Sequence, residues 1–242
     1  MISLIHGCFE KTDISSDVNL IIADPPDNCG KSYVGVNDSI PDEEYRILIG
    51  IWLRKCCELS TEAPVFFIPA EKWMPEVEMY IRKYDIRLVQ RIIWHFTFGQ
   101  HHTRRYGLCF RPIYWLNNDT IYPSNIRIPS ARETKYNDKR HKVGGKMPEN
   151  VWTFSRICGT FKEKRKWHEC QLPEQMIERI VLGHSCEEDV VFDPFVGSGT
   201  TVLVSASHRR NVIGLDASEH YLHKIQEECI DRFGSGTDIK IS

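Results

Sequence analysis

The chain has 242 residues, a formal net charge of −2 and 26 % charged side chains, which fits one globular domain, or one with a small insertion, and excludes disordered and collagen-like classes. No apolar run is long enough to span a bilayer, and the first residues show no charged-then-apolar leader. The nine cysteines include no C-x-x-C pair, so neither a metal site nor a disulfide framework is expected, and the thiols read as reduced and cytoplasmic. The small net charge hides an asymmetry: residues 127–166 carry twelve Lys/Arg against four Asp/Glu, a surplus of eight, so the remainder is strongly acidic. A basic segment on an acidic body points to a polyanion partner; a solvated loop is the plainer alternative.

In chain order, residues 1–5 form a short apolar strand, followed by a loop at His6-Gly7-Cys8-Phe9-Glu10. Residues 19–23 read as a buried strand that stops in Asp24-Pro25-Pro26-Asp27. Asp24 therefore stands beyond the carboxyl end of a strand, where open α/β sheets place ligands. Residues 31–42 read as a loop. Tyr45, Leu48, Ile49, Trp52 and Cys56 recur at helical spacing, residues 64–68 form a strand, and Val77, Tyr80, Ile81 and Tyr84 mark a second amphipathic helix. Residues 91–96 and 108–116 are strand-like and would pair as a long hairpin. Its polar tip, from Gly99 to Arg104 and Arg105, would face nucleic acid. His101 and His102 are adjacent and share no face, so they do not suggest a metal pair.

From residue 117 to 166 apolar periodicity fades. Arg132, Lys135, Lys139, Arg140, Lys142 and Lys146 accumulate around Gly144-Gly145. This reads as an inserted recognition region, in which most cations contact phosphates and few read bases. Lys162, Lys164, Arg165 and Lys166 form a second basic cluster, and residues 151–156 return the chain to the main domain. Residues 167–174 precede a helix with Met176, Ile177, Ile180 and Val181 on one face, and Pro173 suits its first turn. The run Val190-Val191-Phe192 then ends in Asp193-Pro194-Phe195-Val196-Gly197-Ser198-Gly199-Thr200-Thr201. Glycines there let the backbone turn sharply and approach a ligand, although such loops also occur as plain turns. A second apolar run ends in Asp216, roughly 20 residues past the loop, where a carboxylate can hold a ribose hydroxyl pair; a strand-end turn is the plainer role. Leu222, Ile225, Cys229 and Phe233 give the last helix a core stripe, and residues 234–242 are a tail strand or loose end.

Together, Ile21-Ile22-Ala23-Asp24-Pro25-Pro26 and the Asp193-to-Thr201 loop resemble the S-adenosylmethionine-dependent amino-methyltransferases of DNA bases. The resemblance covers nearly the whole chain. The catalytic motif precedes the cofactor loop with the recognition region between them, which resembles the β-group of that family. It implies a Rossmann-like α/β fold with a mostly parallel sheet, helices on both faces and an inserted recognition region. It divides the chain into a catalytic half (1–116), a basic target-recognition insertion (117–166) and a cofactor-binding half (167–242). S-adenosylmethionine is the implied cofactor, held by Gly7, Cys8, Asp24, His168, Gln171, Pro173, Asp193, Phe195, Gly197, Ser198, Gly199, Thr200, Thr201 and Asp216. Among these, His168, Gln171 and Pro173 match a His-Pro-x-Gln-Lys-Pro segment, from which Glu169 and Leu172 depart. Asp24, Pro25, Pro26 and Asp27 are the implied catalytic set. Double-stranded DNA is the implied partner, met by Arg104, Arg105, Arg132, Lys135, Lys139, Arg140, Lys142 and Lys146. A homodimer is compatible with the resemblance, no membrane partner is expected, and the sequence does not say whether a restriction enzyme accompanies the chain. The expected location is the cytoplasm of a bacterial or phage-infected cell.

The implied chemistry is demanding. An exocyclic base amine is a poor nucleophile because its lone pair is conjugated with the ring. Acceptors aimed at its N–H bonds favour the pyramidal nitrogen that attacks a sulfonium methyl. Asp24 and the Pro25 carbonyl would be those acceptors, with consecutive prolines fixing φ. A base inside a duplex must first be flipped out. Family members usually carry an aromatic residue where Asp27 stands, stacking on the flipped base. Three readings of Asp27 follow: Tyr33, Trp94 or Phe96 supplies the platform instead; Asp27 hydrogen-bonds a base edge; or the site is impaired. Adenine N6 is favoured because Asp rather than Ser opens the Pro-Pro motif. Cytosine N4, a catalytically silent DNA-binding subunit and an RNA substrate are the alternatives.

Overall fold

In the computed structural model, residues 1–14, 17–97, 102–136 and 144–242 are described. The elements in chain order are β1 (Ile2–His6), β2 (Leu20–Ala23), β3 (Ser32–Tyr33), β4 (Val36–Asn37), α1 (Asp42–Leu59), β5 (Pro64–Phe67), α2 (Met74–Lys83), β6 (Leu88–His95) and β7 (Phe110–Asn117). They continue with α3 (Ala131–Thr134), β8 (Val151–Thr153), α4 (Glu174–His184), β9 (Val190–Asp193), α5 (Thr200–Ser207), β10 (Asn211–Asp216), α6 (Glu219–Phe233) and β11 (Ile239–Ile241).

Nine strands form one sheet in the order β11-β1-β10-β9-β2-β5-β7-β6-β8. All pairs are parallel except those of β7, which runs antiparallel to both β5 and β6. The central strands are apolar on both faces because helices cover both. On β2, Ile21 and Ala23 pack against α1 and α2 with Phe9, Tyr45 and Trp52. Leu20 and Ile22 face the other way, toward Met176, Ile177 and Ile180 of α4. Leu4 and Val212 complete that second side against Val202, Leu222 and Ile225 of α5 and α6. This is the Rossmann-like α/β arrangement. Helix α1 starts with Asp42, Glu43 and Glu44, which suit the positive end of its dipole. Among the described residues no helix is long and apolar enough to cross a membrane.

Several expectations are refined. The 31–42 loop contains the small β3–β4 hairpin, and the tail closes the sheet as β11 beside β1. The 91–96 and 108–116 runs do pair, as β6 and β7. Residues 151–153, inside the expected insertion, are an edge strand of the main sheet beside β6.

The second basic cluster is corrected most. Arg165 is 5 % exposed and faces inward. Its Nε lies 2.9 Å from Glu228, its Nη2 2.8 Å from Glu174, and its Nη1 3.2 Å from Thr200 Oγ1. Lys164 Nζ donates to the carbonyls of His168 and Glu169. Arg165 fastens the 161–173 segment to α4, α5 and α6, and Lys164 braces that segment internally, so neither is free to meet phosphate. Two helices bring the glutamates together, and a buried guanidinium requires such partners.

Candidate active site

The carboxyl ends of three adjacent parallel strands each carry an aspartate: Asp216 on β10, Asp193 on β9 and Asp24 just after β2. These strands flank the place where the crossovers change face, the usual ligand crevice of an open α/β sheet. One cavity joins them, lined also by Gly7, Cys8, Glu10, Pro25, Pro26, Asp27, Tyr33, Trp52, Arg111, His168, Phe195, Gly197, Ser198, Thr200 and Thr201.

The glycine loop is built by local bonds. Asp193 Oδ1 accepts the Phe195 N–H at 2.9 Å, and the Val196 N–H reaches the Leu215 carbonyl at 3.0 Å. Asp216 takes the Gly197 N–H on Oδ2 at 2.9 Å and the Ser218 N–H on Oδ1 at 2.8 Å, so it locks the loop to β10 while still lining the cavity. Gly197 has φ +46°, and a Cβ there would sit 3.0 Å from His168 Nε2. Gly199, with φ +75°, caps α5 under Ile225 and is not in the cavity wall. Burial pushes the Asp193 carboxyl up to about 7, against the Thr201 and Phe195 hydrogen bonds. Burial also raises Asp216.

His168 donates its Nδ1–H to the Cys170 carbonyl, which leaves Nε2 as an acceptor. Burial lowers its pKa to about 4, so the ring is neutral. Tyr33 stacks on it at 5.4 Å and 27°. Gln171 and Pro173, expected at the cofactor, lie outside the cavity wall. Gln171 is consumed by the Arg165 N–H and the Glu163 carbonyl, and Pro173 caps α4.

Around the Asp-Pro-Pro-Asp turn, the backbone carbonyls are assigned one by one. Ile68 N donates to Ala23 O at 2.8 Å. Tyr45 Oη donates to Pro26 O, Trp73 Nε1 to Asp27 O at 2.9 Å and Lys72 Nζ to Asn28 O at 2.6 Å. Among the described residues the Asp24 and Pro25 carbonyls have no such donor, so the Pro25 carbonyl remains an available acceptor beside the Asp24 carboxyl. Asp38 supports the turn by accepting the N–H groups of Asn28, Cys29 and Lys31 at 2.8–3.1 Å.

Arg111 was not expected here. Antiparallel β7 begins where β5 ends, so its second residue reaches Asp24 Oδ1 at 3.0 Å and Asp27 Oδ1 at 2.8 Å. The available signal was an arginine opening an apolar strand, which must find an acid when buried; its partner could not be named without the strand order. Burial raises the Asp24 carboxyl above the usual range, with Arg111 opposing and Asp27 adding. Trp94 and Phe96 are each 3 % exposed in the core, and Trp94 Nε1 is spent on Phe154 O. Both are ruled out as base platforms, whereas Tyr33 lines the cavity.

The DNA-contact candidates Arg104, Arg105, Arg132 and Lys135 are exposed. Lys146 is half-buried and paired with Glu149. Lys139, Arg140 and Lys142 lie outside the described residues, as do Gly99 and His101.

The DNA methylase family profile matches residues 18–227. The chain belongs to that family of N6/N4 amino-methyltransferases. This methylase is 31 % identical over 225 residues to the type II methyltransferase M.HpaI of Haemophilus parainfluenzae, covering 90 % of this chain and 70 % of the relative. It is 28 % identical over 239 residues to the DNA adenine methyltransferase YhdJ of Escherichia coli K12, covering 91 % and 80 %. Its fold is similar to that of a DNA modification methylase of Thermus thermophilus solved with S-adenosylmethionine, with a TM-score of 0.65, 18 % identity and coverage of 100 % and 98 %. The cofactor of the methylase is S-adenosylmethionine. The site fits it chemically: among the described lining residues, Glu10, Asp24, Asp27, Asp38, Asp193 and Asp216 face a single cation, Arg111. Such an acidic cavity with an aromatic wall at Trp52 and Phe195, 5.1 Å apart, suits a sulfonium cation carrying an adenosine.

Proposed function

We propose that this methylase modifies the exocyclic N6 of adenine in double-stranded DNA after flipping the base. The observation that supports it most is the pairing of Asp24 with the open Pro25 carbonyl, next to the glycine loop. Asp24 and Pro25 O accept the two amine N–H bonds, which favours the nitrogen lone pair for attack and stabilises positive charge as it develops. The bound cofactor supplies an electrophilic methyl group at this point. Gly7, Cys8, Asp193, Phe195, Gly197, Ser198 and Asp216 would hold it. Asp24 remains a hydrogen-bond acceptor, so the amine proton leaves to solvent or to a neighbouring acceptor after transfer. Adenine is favoured by Asp at the head of the Pro-Pro turn and by the likeness to an adenine methyltransferase of E. coli.

The test is product analysis. Purified protein is incubated with labelled S-adenosylmethionine and unmethylated DNA, and the nucleosides are separated by mass spectrometry. N6-methyladenine is the expected product. N4-methylcytosine would keep the mechanism and move the base assignment. No methylated base on single- or double-stranded DNA would sink the reading.

We assign the recognition insertion to residues 118–150, between β7 and β8. Exposed Arg104, Arg105, Arg132 and Lys135 are assigned to phosphate contacts. Replacing these four by glutamine should weaken DNA binding and flatten the log–log salt slope by about 0.9 for each phosphate no longer neutralised. Fluorescence anisotropy against salt concentration checks this; an unchanged slope would put DNA on another face.

A further inference from the structure

The guanidinium of Arg111 is crowded at one nitrogen and unpartnered at another. Nη2 lies 2.8 Å from Asp27 Oδ1, 2.9 Å from the Ile68 carbonyl and 3.0 Å from Asp24 Oδ1. Its two hydrogens cannot fully serve three acceptors. Nε is buried and has no partner among the described residues, which is costly for a charged donor. The side chain is 16 % exposed and forms part of the cavity wall beside Asp24 and Pro25.

Nη1 also has no partner among the described residues and, unlike Nε, is not buried, and the chemistry of the target supplies a partner for it. In both amino bases a ring nitrogen acceptor lies beside the exocyclic amine: N1 and N7 in adenine, N3 in cytosine. A surface complementary to that edge has acceptors for the amine and a donor next to them. Asp24, Pro25 and Arg111 line one cavity and offer those acceptors and that donor.

We infer that Arg111 is a base-holding residue of the methyl-transfer site. Its Nη1 donates to the ring nitrogen beside the amine, and Asp27 is the counter-ion that shares its charge with Asp24. This rests on the function proposed above. Nη2 is shared among Asp27 Oδ1, the Ile68 carbonyl and Asp24 Oδ1. Asp24 meets Arg111 through Oδ1 only, and its Oδ2, without a partner among the described residues, is left to the incoming amine. Without Asp27, the guanidinium charge would be balanced by Asp24 alone, which would draw that carboxylate away from the amine. Asp27 thus acts on the base through Arg111 rather than by stacking. The pocket around the pair is completed by Tyr33, Tyr45 and Cys170, none of which carries a fixed positive charge that could replace Arg111.

The experiment is a cycle between protein and base. Wild type, Arg111→Met and Arg111→Lys are compared on duplexes whose target adenine is replaced by 1-deazaadenine or 7-deazaadenine. If product analysis names cytosine as the target, 3-deazacytosine takes their place. Wild type should lose about 10- to 100-fold in kcat/KM on one analogue, the range for a hydrogen bond to a charged donor. Arg111→Met, slower on the natural base, should show no further loss on that analogue, and Arg111→Lys should recover part of the discrimination. Cofactor affinity and melting temperature are read for each variant. If Arg111→Met does not fold, Arg111→Lys carries the cycle. Equal wild-type rates on all analogues, or a full analogue penalty retained in the Arg111 variants, would overturn the assignment. A wild-type chain that methylates neither base would overturn the function itself, a distinct result that removes the role of Arg111 with it.

Discussion

Asp24→Ala is expected to lower the single-turnover rate of methyl transfer by about 10²–10³-fold, the usual cost of removing one preorganised polar group from a developing charge. Binding of S-adenosylmethionine should survive, because the glycine loop is built by Asp193, Asp216 and backbone bonds that do not involve Asp24. The same residue sets the pH dependence. Burial raises the Asp24 carboxyl above the ordinary carboxylate range, and Asp27 adds to the shift while Arg111 opposes it. A carboxyl accepts from the amine best when ionised, so activity should be full at high pH. It should fall as pH drops through a midpoint above that of an exposed aspartate. A kcat/KM profile that stays flat down to pH 5 would contradict this, as would an alanine variant that retains the wild-type rate.

The second large effect concerns stability. Arg165→Ala removes the cation that Glu174 and Glu228 share and the bond to Thr200 at the start of α5. Breaking a buried pair leaves its partners uncompensated, at about 3–5 kcal/mol. Glu174 and Glu228 keep 23 % and 31 % exposure, and Arg232 also pairs with Glu174. Solvent and that second arginine hold the cost near the lower bound, about 3 kcal/mol. For a domain of this size that lowers the melting temperature by roughly 6–12 °C. Arg165→Lys should recover little, since one ammonium cannot reach Glu228, Glu174 and Thr200 from three separate nitrogens. A calorimetric shift below about 2 °C for the alanine variant would return Arg165 to the surface, where the charge pattern alone had put it.

These two arginines show where sequence reading stops. Arg165 lies in a cluster with Lys162, Lys164 and Lys166, and a cluster of that kind is normally solvated. Only the convergence of α4 and α6 supplies the glutamates that bury it. Trp94 and Phe96 were reasonable substitutes for a missing aromatic until the pairing of β6 and β7 turned both into the core. Gln171 fits its motif by letter, but its amide is consumed inside the 161–173 segment.

The sequence by itself determined the alternation of buried strands and amphipathic helices, the Asp24 turn and the Asp193-to-Thr201 loop, and through them the family. These features are local: side-chain periodicity, proline φ and the positive φ of Gly197 and Gly199 are written in consecutive residues. The tertiary structure alone decided which distant groups meet. Because β7 runs against its neighbours, the start of that strand lies at the same end of the sheet as the end of β2, one strand away, and Arg111 reaches both Asp24 and Asp27 across more than eighty residues of chain. Strand order and direction are set by the packing of the whole sheet, so no window of sequence around any of the three residues contains that contact.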